Sequence, residues 1–182
     1  MLVEDGKGTG RKAQVDGSNR LVVRSVMIPL LEVINEVNGR AWSATLDAVA
    51  PSGATWFFVL QNNGQKTLAV NSIALSSSVA GIFRVSKVTG TPSGGTALVP
   101  SNMNLGRVQL PDTVLCEKGA SITGLTEIYL LYPLYLAANA QFVYDTVSRI
   151  VVSPGTGLAI KAPASATVSG FIQFYEEPED LD

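Results

Sequence analysis

What most constrains the fold of this chain is how closely its structure breakers are spaced. From Arg20 onward, apolar runs rich in Val, Ile, Phe and Tyr are cut by Gly, Pro, Asn and Ser at intervals too short for a series of helices. This punctuation predicts an all-β fold, an antiparallel two-sheet β-sandwich over residues 20–175. The expected strands cover 20–28, 41–49, 55–61, 68–76, 81–89, 121–122, 128–136, 149–153, 157–161 and 166–176. Asn38-Gly39 and Asn63-Gly64 supply residues that tolerate positive φ, while Pro51-Ser52-Gly53, Thr91-Pro92-Ser93-Gly94-Gly95 and Ser153-Pro154-Gly155 interrupt pairing. One helical competitor exists over residues 27–37, where Leu30, Leu31, Ile34 and Val37 recur at helical spacing after Pro29. Strand and short helix remain open there.

The strand faces are legible too. In the last strand, Val168, Ile172 and Phe174 fall on one side and Phe171 and Tyr175 on the other, so one face suits a core and the other a neighbour. The longest apolar run, residues 128–138, contains three tyrosines and Pro133 and is shorter than the roughly 20 residues of a bilayer-spanning helix. It reads as buried strand and bend, with no membrane partner. Charged residues make up 15% of the chain, against about 25% in a usual soluble domain. Two-faced apolar strands near Phe58, Leu131 and Phe171 then predict surface that a monomer would expose, and hence a homo-oligomer, with a trimer expected.

Both ends read differently from the middle. Residues 1–19 are a glycine-rich arm with too few apolar side chains to offset the entropy of ordering alone. Gly6-Lys7-Gly8-Thr9-Gly10-Arg11-Lys12 lacks the spacing, the preceding strand and the following helix of a phosphate-binding loop. The expected role of Gly6, Lys7, Gly8, Gly10, Arg11, Lys12 and Arg20 is contact with a partner: glycine backbone follows a groove closely, and the cations face acidic groups. The alternation in Lys12-Ala-Gln-Val and Arg20-Leu-Val-Val-Arg suits a strand added to an exposed sheet edge. Residues 176–182 form an acidic tail broken by Pro178. The opening Met1-Leu2-Val3-Glu4-Asp5 places acids where a secretion signal carries bases, so the chain is expected to stay where it is made.

The residues argue against catalysis. There is no histidine, which excludes Ser-His-Asp and Cys-His sites, histidine-ligated metals and imidazole switches. The single cysteine, Cys116, excludes an intrachain disulfide and reads as a buried thiol. A net charge of −2 disfavours nucleic acid, which is held through a basic face. Asp47, Asp112, Glu117, Glu127 and Asp145 could in principle supply a glycosidase pair, but acids near turns more often cap or solvate them. Trp56, Phe57 and Phe58 read as a core strand, leaving Trp42 as the better candidate for a surface, sugar-binding role. No catalytic residue, metal or cofactor is expected.

Three stretches span nearly the whole chain: the opening from Val3 through Gly-Lys-Gly-Thr-Gly-Arg-Lys to Leu21, the central Val88-Thr-Gly-Thr-Pro-Ser-Gly-Gly-Thr-Ala-Leu-Val-Pro-Ser-Asn-Met-Asn-Leu-Gly, and the closing Val168-Ser-Gly-Phe-Ile-Gln-Phe-Tyr-Glu-Glu. Together they resemble small structural proteins of tailed-bacteriophage virions. The resemblance implies a jelly-roll or related sandwich that assembles on the particle in the host cytoplasm, as a trimer decorating or cementing the capsid. Its partners would be copies of itself and the major capsid protein or another virion protein. A collar, tail or fibre component, or a host-glycan-binding adhesin, is the alternative.

Overall fold

The computed structural model of the protein describes residues 2–4, 12–15, 21–22, 34–35, 39–107, 111 and 113–177, with 2–4, 12–15, 21–22 and 145–148 as backbone. The chain divides into two compact units, Met1–Leu30 and Leu31–Asp182. In the first, strands β1 (Leu2–Glu4), β2 (Lys12–Val15) and β3 (Leu21–Val22) form an antiparallel meander, with Leu2 opposite Gln14, Glu4 opposite Lys12 and Gln14 opposite Val22. The described backbone of the expected arm therefore pairs with itself.

The second unit is two antiparallel five-stranded sheets around a common core. One has the order β11-β6-β13-β4-β9, from β4 (Ala41–Val49), β6 (Leu68–Ser77), β9 (Ser101–Asn102), β11 (Gln141–Val152) and β13 (Val168–Glu176). The other has the order β5-β12-β7-β10-β8, from β5 (Trp56–Asn62), β7 (Gly81–Ser93), β8 (Thr96–Ala97), β10 (Val114–Leu136) and β12 (Gly157–Lys161). Trp42, Leu46, Ile73, Ile172 and Phe174 from the first sheet meet Phe57, Phe58, Phe83, Leu134 and Ile160 from the second. Val168, Ile172 and Phe174 face this core as their alternation predicts.

Several expectations are corrected. The separate strands expected at 121–122 and 128–136 are parts of one 23-residue strand, β10. β7 runs through Thr91-Pro92-Ser93, which was expected to break it, because a local bulge absorbs the proline: Leu125 faces Gly90, yet Thr123 faces Ser93. Gly90 and Gly124, at φ of 104° and 75°, let the two backbones close there, since a Cβ on Gly124 would strike the Thr91 carbonyl. β11 begins at Gln141, eight residues before the expected start at Arg149. Most of the helical candidate lies outside the described residues. Ile34 and Asn35 are in a helical turn, and the Gly39 N–H, at φ 61°, donates to the Asn35 carbonyl as in a left-handed helix cap.

The second sheet closes on itself. β10 pairs with β5 through Val114–Lys118 and Ile122, and with β8 and β7 through Glu117–Lys118 and Thr123–Leu136, while β12 joins β5 to β7. The four strands β5, β12, β7 and β10 thus make a ring, which removes the edges an open sheet would present. Each strand contributes one residue to a second, small core: Val59, Ala159, Val88 and Ile122, with Trp56 and Leu125 packed against it. A bulge makes both cores possible from one strand. Ile160 faces Phe58 and Lys161 faces Trp56, so Phe57 is an extra residue; Phe57 and Phe58 both reach the main core, and Trp56 and Val59 both reach the ring.

Candidate assembly surface

The second half of β10 carries a row of large side chains that the fold leaves in solvent. Pairing with β7 places Leu134 opposite Phe83 and Tyr132 opposite Val85 on the core side. The alternate pairs, Leu130 with Ser86, Pro133 with Arg84 and Tyr135 with Ile82, share the outer face. Tyr135 is 69% exposed, and Ile82, Ile128 and Leu130 are between 41% and 50% exposed. Register shifts between Glu127 and Tyr129 and between Leu130 and Tyr132 turn the strand there, so that Ile128, Tyr129 and Leu130 are all exposed in succession. The expectation of a buried strand across residues 128–138 is therefore corrected: the strand is present, but Leu134 and Leu136 alone among its large residues are fully buried.

A small polar cluster sits within this outer face. Glu127 Oε1 accepts hydrogen bonds from Arg84 Nη2 and Ser86 Oγ, both at 2.9 Å. Ser86 is fully buried, and this contact explains how a hydroxyl is tolerated there. One oxygen of Glu127 is thus held by structural partners, a poor starting point for an acid or base. Towards β11, Lys87 Nζ lies 5.6 Å from the Tyr129 ring centre, and Tyr132 and Tyr144 pack with centroids 4.9 Å apart. Burial, followed by the Tyr132 hydroxyl, pushes the Tyr144 phenol up to about 12.

A concavity of about 220 Å³ lies elsewhere, bordered by Arg40, Asn62, Gln65, Lys66, Thr113 and Glu176. Asn62, Arg40 and Glu176 within it make structural contacts. Buried Asn62 donates through Nδ2 to the Lys66 and Val152 carbonyls at 2.7 and 2.8 Å, and its Oδ1 accepts from the Gly64 N–H at 3.0 Å. Arg40 lies 3.7 Å from the Glu176 carboxylate. Beyond that, Arg149 donates to the Tyr175 hydroxyl at 2.9 Å and pairs with Glu177 at 3.2 Å, tying the start of the acidic tail to β11. These contacts tie together the ends of strands from both sheets.

The candidates from the sequence are distributed as follows. Gly6, Lys7, Gly8, Gly10, Arg11 and Arg20 lie outside the described residues, and of Lys12 only its backbone position in β2 is described. Asp112 and the side chain of Asp145 also lie outside them, while Asp47 is exposed on β4. Trp42 is corrected: it is fully buried, opposite Phe174 with ring centroids 5.8 Å apart, and cannot serve as a sugar platform. Phe58 is likewise fully buried and contributes no exposed surface. Cys116 is buried, and burial pushes its thiol up to about 12. Among the described residues, no three His, Cys, Asp or Glu side chains gather as metal ligands. No family model, curated protein or solved structure matches the chain.

Ile82 and Tyr135 were missed as surface residues. The signal for Tyr135 lies in Ile128-Tyr-Leu-Leu-Tyr-Pro-Leu-Tyr-Leu, which is apolar on both faces of a strand, whereas a sheet with one wet face alternates.

Proposed function

We propose that this protein is a non-enzymatic structural component of a tailed-bacteriophage virion, which binds the particle surface as a homo-oligomer and decorates or cements the capsid. The observation that carries the reading is the exposed strip of Ile82, Leu130, Pro133 and Tyr135 on the paired strands β7 and β10. Side chains of this size are worth about 1.5–3 kcal/mol each when fully buried, so a half-exposed row leaves several kcal/mol for association. The low charge fraction and the three resembling stretches support the virion setting. Two antiparallel five-stranded sheets suit a jelly-roll-type decoration protein, with the ring as a local elaboration. The proposed order is a trimer. Its proposed contacts with the capsid protein or another virion protein run through Gly6, Lys7, Gly8, Gly10, Arg11, Lys12 and Arg20.

Size exclusion with light scattering tests the oligomer. The wild-type chain of 19.2 kDa should elute as a multiple of that mass, and Leu130→Asp with Tyr135→Glu should lower the mass of the assembly without loss of β circular dichroism. A wild-type monomer at micromolar concentration would refute self-association of the free protein. Deletion of residues 2–19 should leave the second unit folded but unable to join particles. Unimpaired incorporation would move attachment from the arm to the sandwich.

A further inference from the structure

The edges of the second unit are unequal. The ring leaves β5, β7 and β12 paired on both sides over their shared lengths. The outer edge of β10 beyond the ring is interrupted by two register shifts and by Pro133, which has no N–H to offer. At the far side of the other sheet, β9 is a strand of two residues that covers only Trp42 and Ser43, and further along β4 the edge is bent by a bulge between Leu46, opposite Gly170, and Val49, opposite Val168. These are the devices by which proteins blunt strand edges.

The first five residues of β11 carry none of them. Gln141–Asp145 pair with β6 in unbroken register, Gln141 opposite Ser76 through Asp145 opposite Ser72, and the shift comes only after Asp145. No described strand pairs with their other edge. Gln-Phe-Val-Tyr-Asp contains no proline, lysine or arginine. Phe142 and Tyr144 pack against the core, whereas Val143 is 55% exposed.

We infer that β11 is a second self-association edge, on which Gln141–Asp145 of two copies pair antiparallel about a two-fold axis at Val143. The occupant is identified by complementarity. Centred on Val143, the middle of the unbroken ladder, the pairing sets Phe142 against Tyr144 and Gln141 against Asp145, so aromatics meet aromatics and each acid meets an amide. Centring on Tyr144 would set Asp145 against Val143 and extend the pairing past the register shift. An isologous contact of this kind joins two five-stranded sheets into one of ten, with the residue at the axis meeting its own copy. It lies apart from the β10 strip and goes beyond the proposed function, linking copies or whole trimers in pairs.

Charge substitution at Gln141, which is exposed, tests the register directly. Analytical ultracentrifugation of the full chain should show two-fold association that Gln141→Lys tightens and Gln141→Glu weakens. Each cross-strand charge pair is worth about 0.2–1 kcal/mol and the symmetry supplies two, so the constant should move about 2-fold to 25-fold in each direction. Val143→Lys sets two ammonium groups together at the axis and should abolish the association while thermal unfolding of the monomer stays unchanged. A change of the same sign for Gln141→Lys and Gln141→Glu, or no change in either, overturns the inference. If the wild type is a trimer unaffected by all three variants, the β11 contact falls and the β10 reading stands. If it is a dimer governed by Gln141 and insensitive to Tyr135→Glu, the β11 contact stands and the trimer falls.

Discussion

Closure of the ring can be tested at Ile122. This side chain is 2% exposed and sits with Val59, Val88 and Ala159 in the small core that exists only if β10 folds against β5 as well as β7. Ile122→Ala removes three carbons, and at about 0.8 kcal/mol per buried methylene the transfer contribution is about 2.4 kcal/mol. The cavity adds to it, because a ring of paired backbones relaxes poorly, giving an expected loss of about 3 kcal/mol. For a chain of this length that corresponds to a Tm lower by about 6–12 °C. Urea unfolding followed by circular dichroism should show a lower midpoint with an unchanged slope, since the surface exposed on unfolding is the same. Thr126→Ala, at an exposed position on β10 outside that core, should stay within about 0.5 kcal/mol of wild type. Val88→Ala should couple to Ile122→Ala by about 0.5 kcal/mol or more, as neighbours sharing one cavity do. If Ile122→Ala costs under 0.5 kcal/mol, or adds to Val88→Ala without coupling, the strand does not close the ring and the two-core reading is wrong.

Two further outcomes follow from single residues. Cys116 should resist a thiol reagent in the native protein at about pH 8 and react fully in strong denaturant. Its folded thiol keeps a proton that the unfolded chain releases near 9.0, so its effect on stability is nil below that pH and destabilising as the pH rises from there towards about 12. Rapid native labelling would refute the burial. Thr113, a β-branched residue at φ 57°, holds a conformation costing about 1–3 kcal/mol, while its carbonyl accepts the Asn63 N–H at 3.0 Å. Thr113→Gly keeps that bond and relieves the strain, less the entropy that glycine loses on folding, and should stabilise by about 1 kcal/mol in a melting experiment. A lower Tm would mean that the threonine side chain contributes more than its backbone costs.

The limits of the sequence reading can be located residue by residue. Fold class was legible because Leu68–Ser77, Gly157–Lys161 and Val168–Glu176 carry their strand character locally, in β-branched and aromatic residues bounded by turn formers. β10 was not, because Gly119 and Gly124 look like punctuation in one dimension. In the fold they are places where backbones approach: Gly119 lies against Gly95, and Gly124 against the Thr91 carbonyl. The same ambiguity misplaced Trp42. A tryptophan followed by Ser, Ala and Thr reads as half-wet when β4 is considered alone, but its cross-strand partner is Phe174, 132 positions away, and that long-range pairing decides its burial. Surface chemistry fared worse for a related reason. Hydrophobicity alone predicts burial for the apolar run from Ile128, yet the register with Ile82, Arg84 and Ser86 sends Leu130, Pro133 and Tyr135 outward. A strand with two apolar faces satisfies only one of them within its own chain, so the residue pattern that defeated the burial reading is the one that points to a partner.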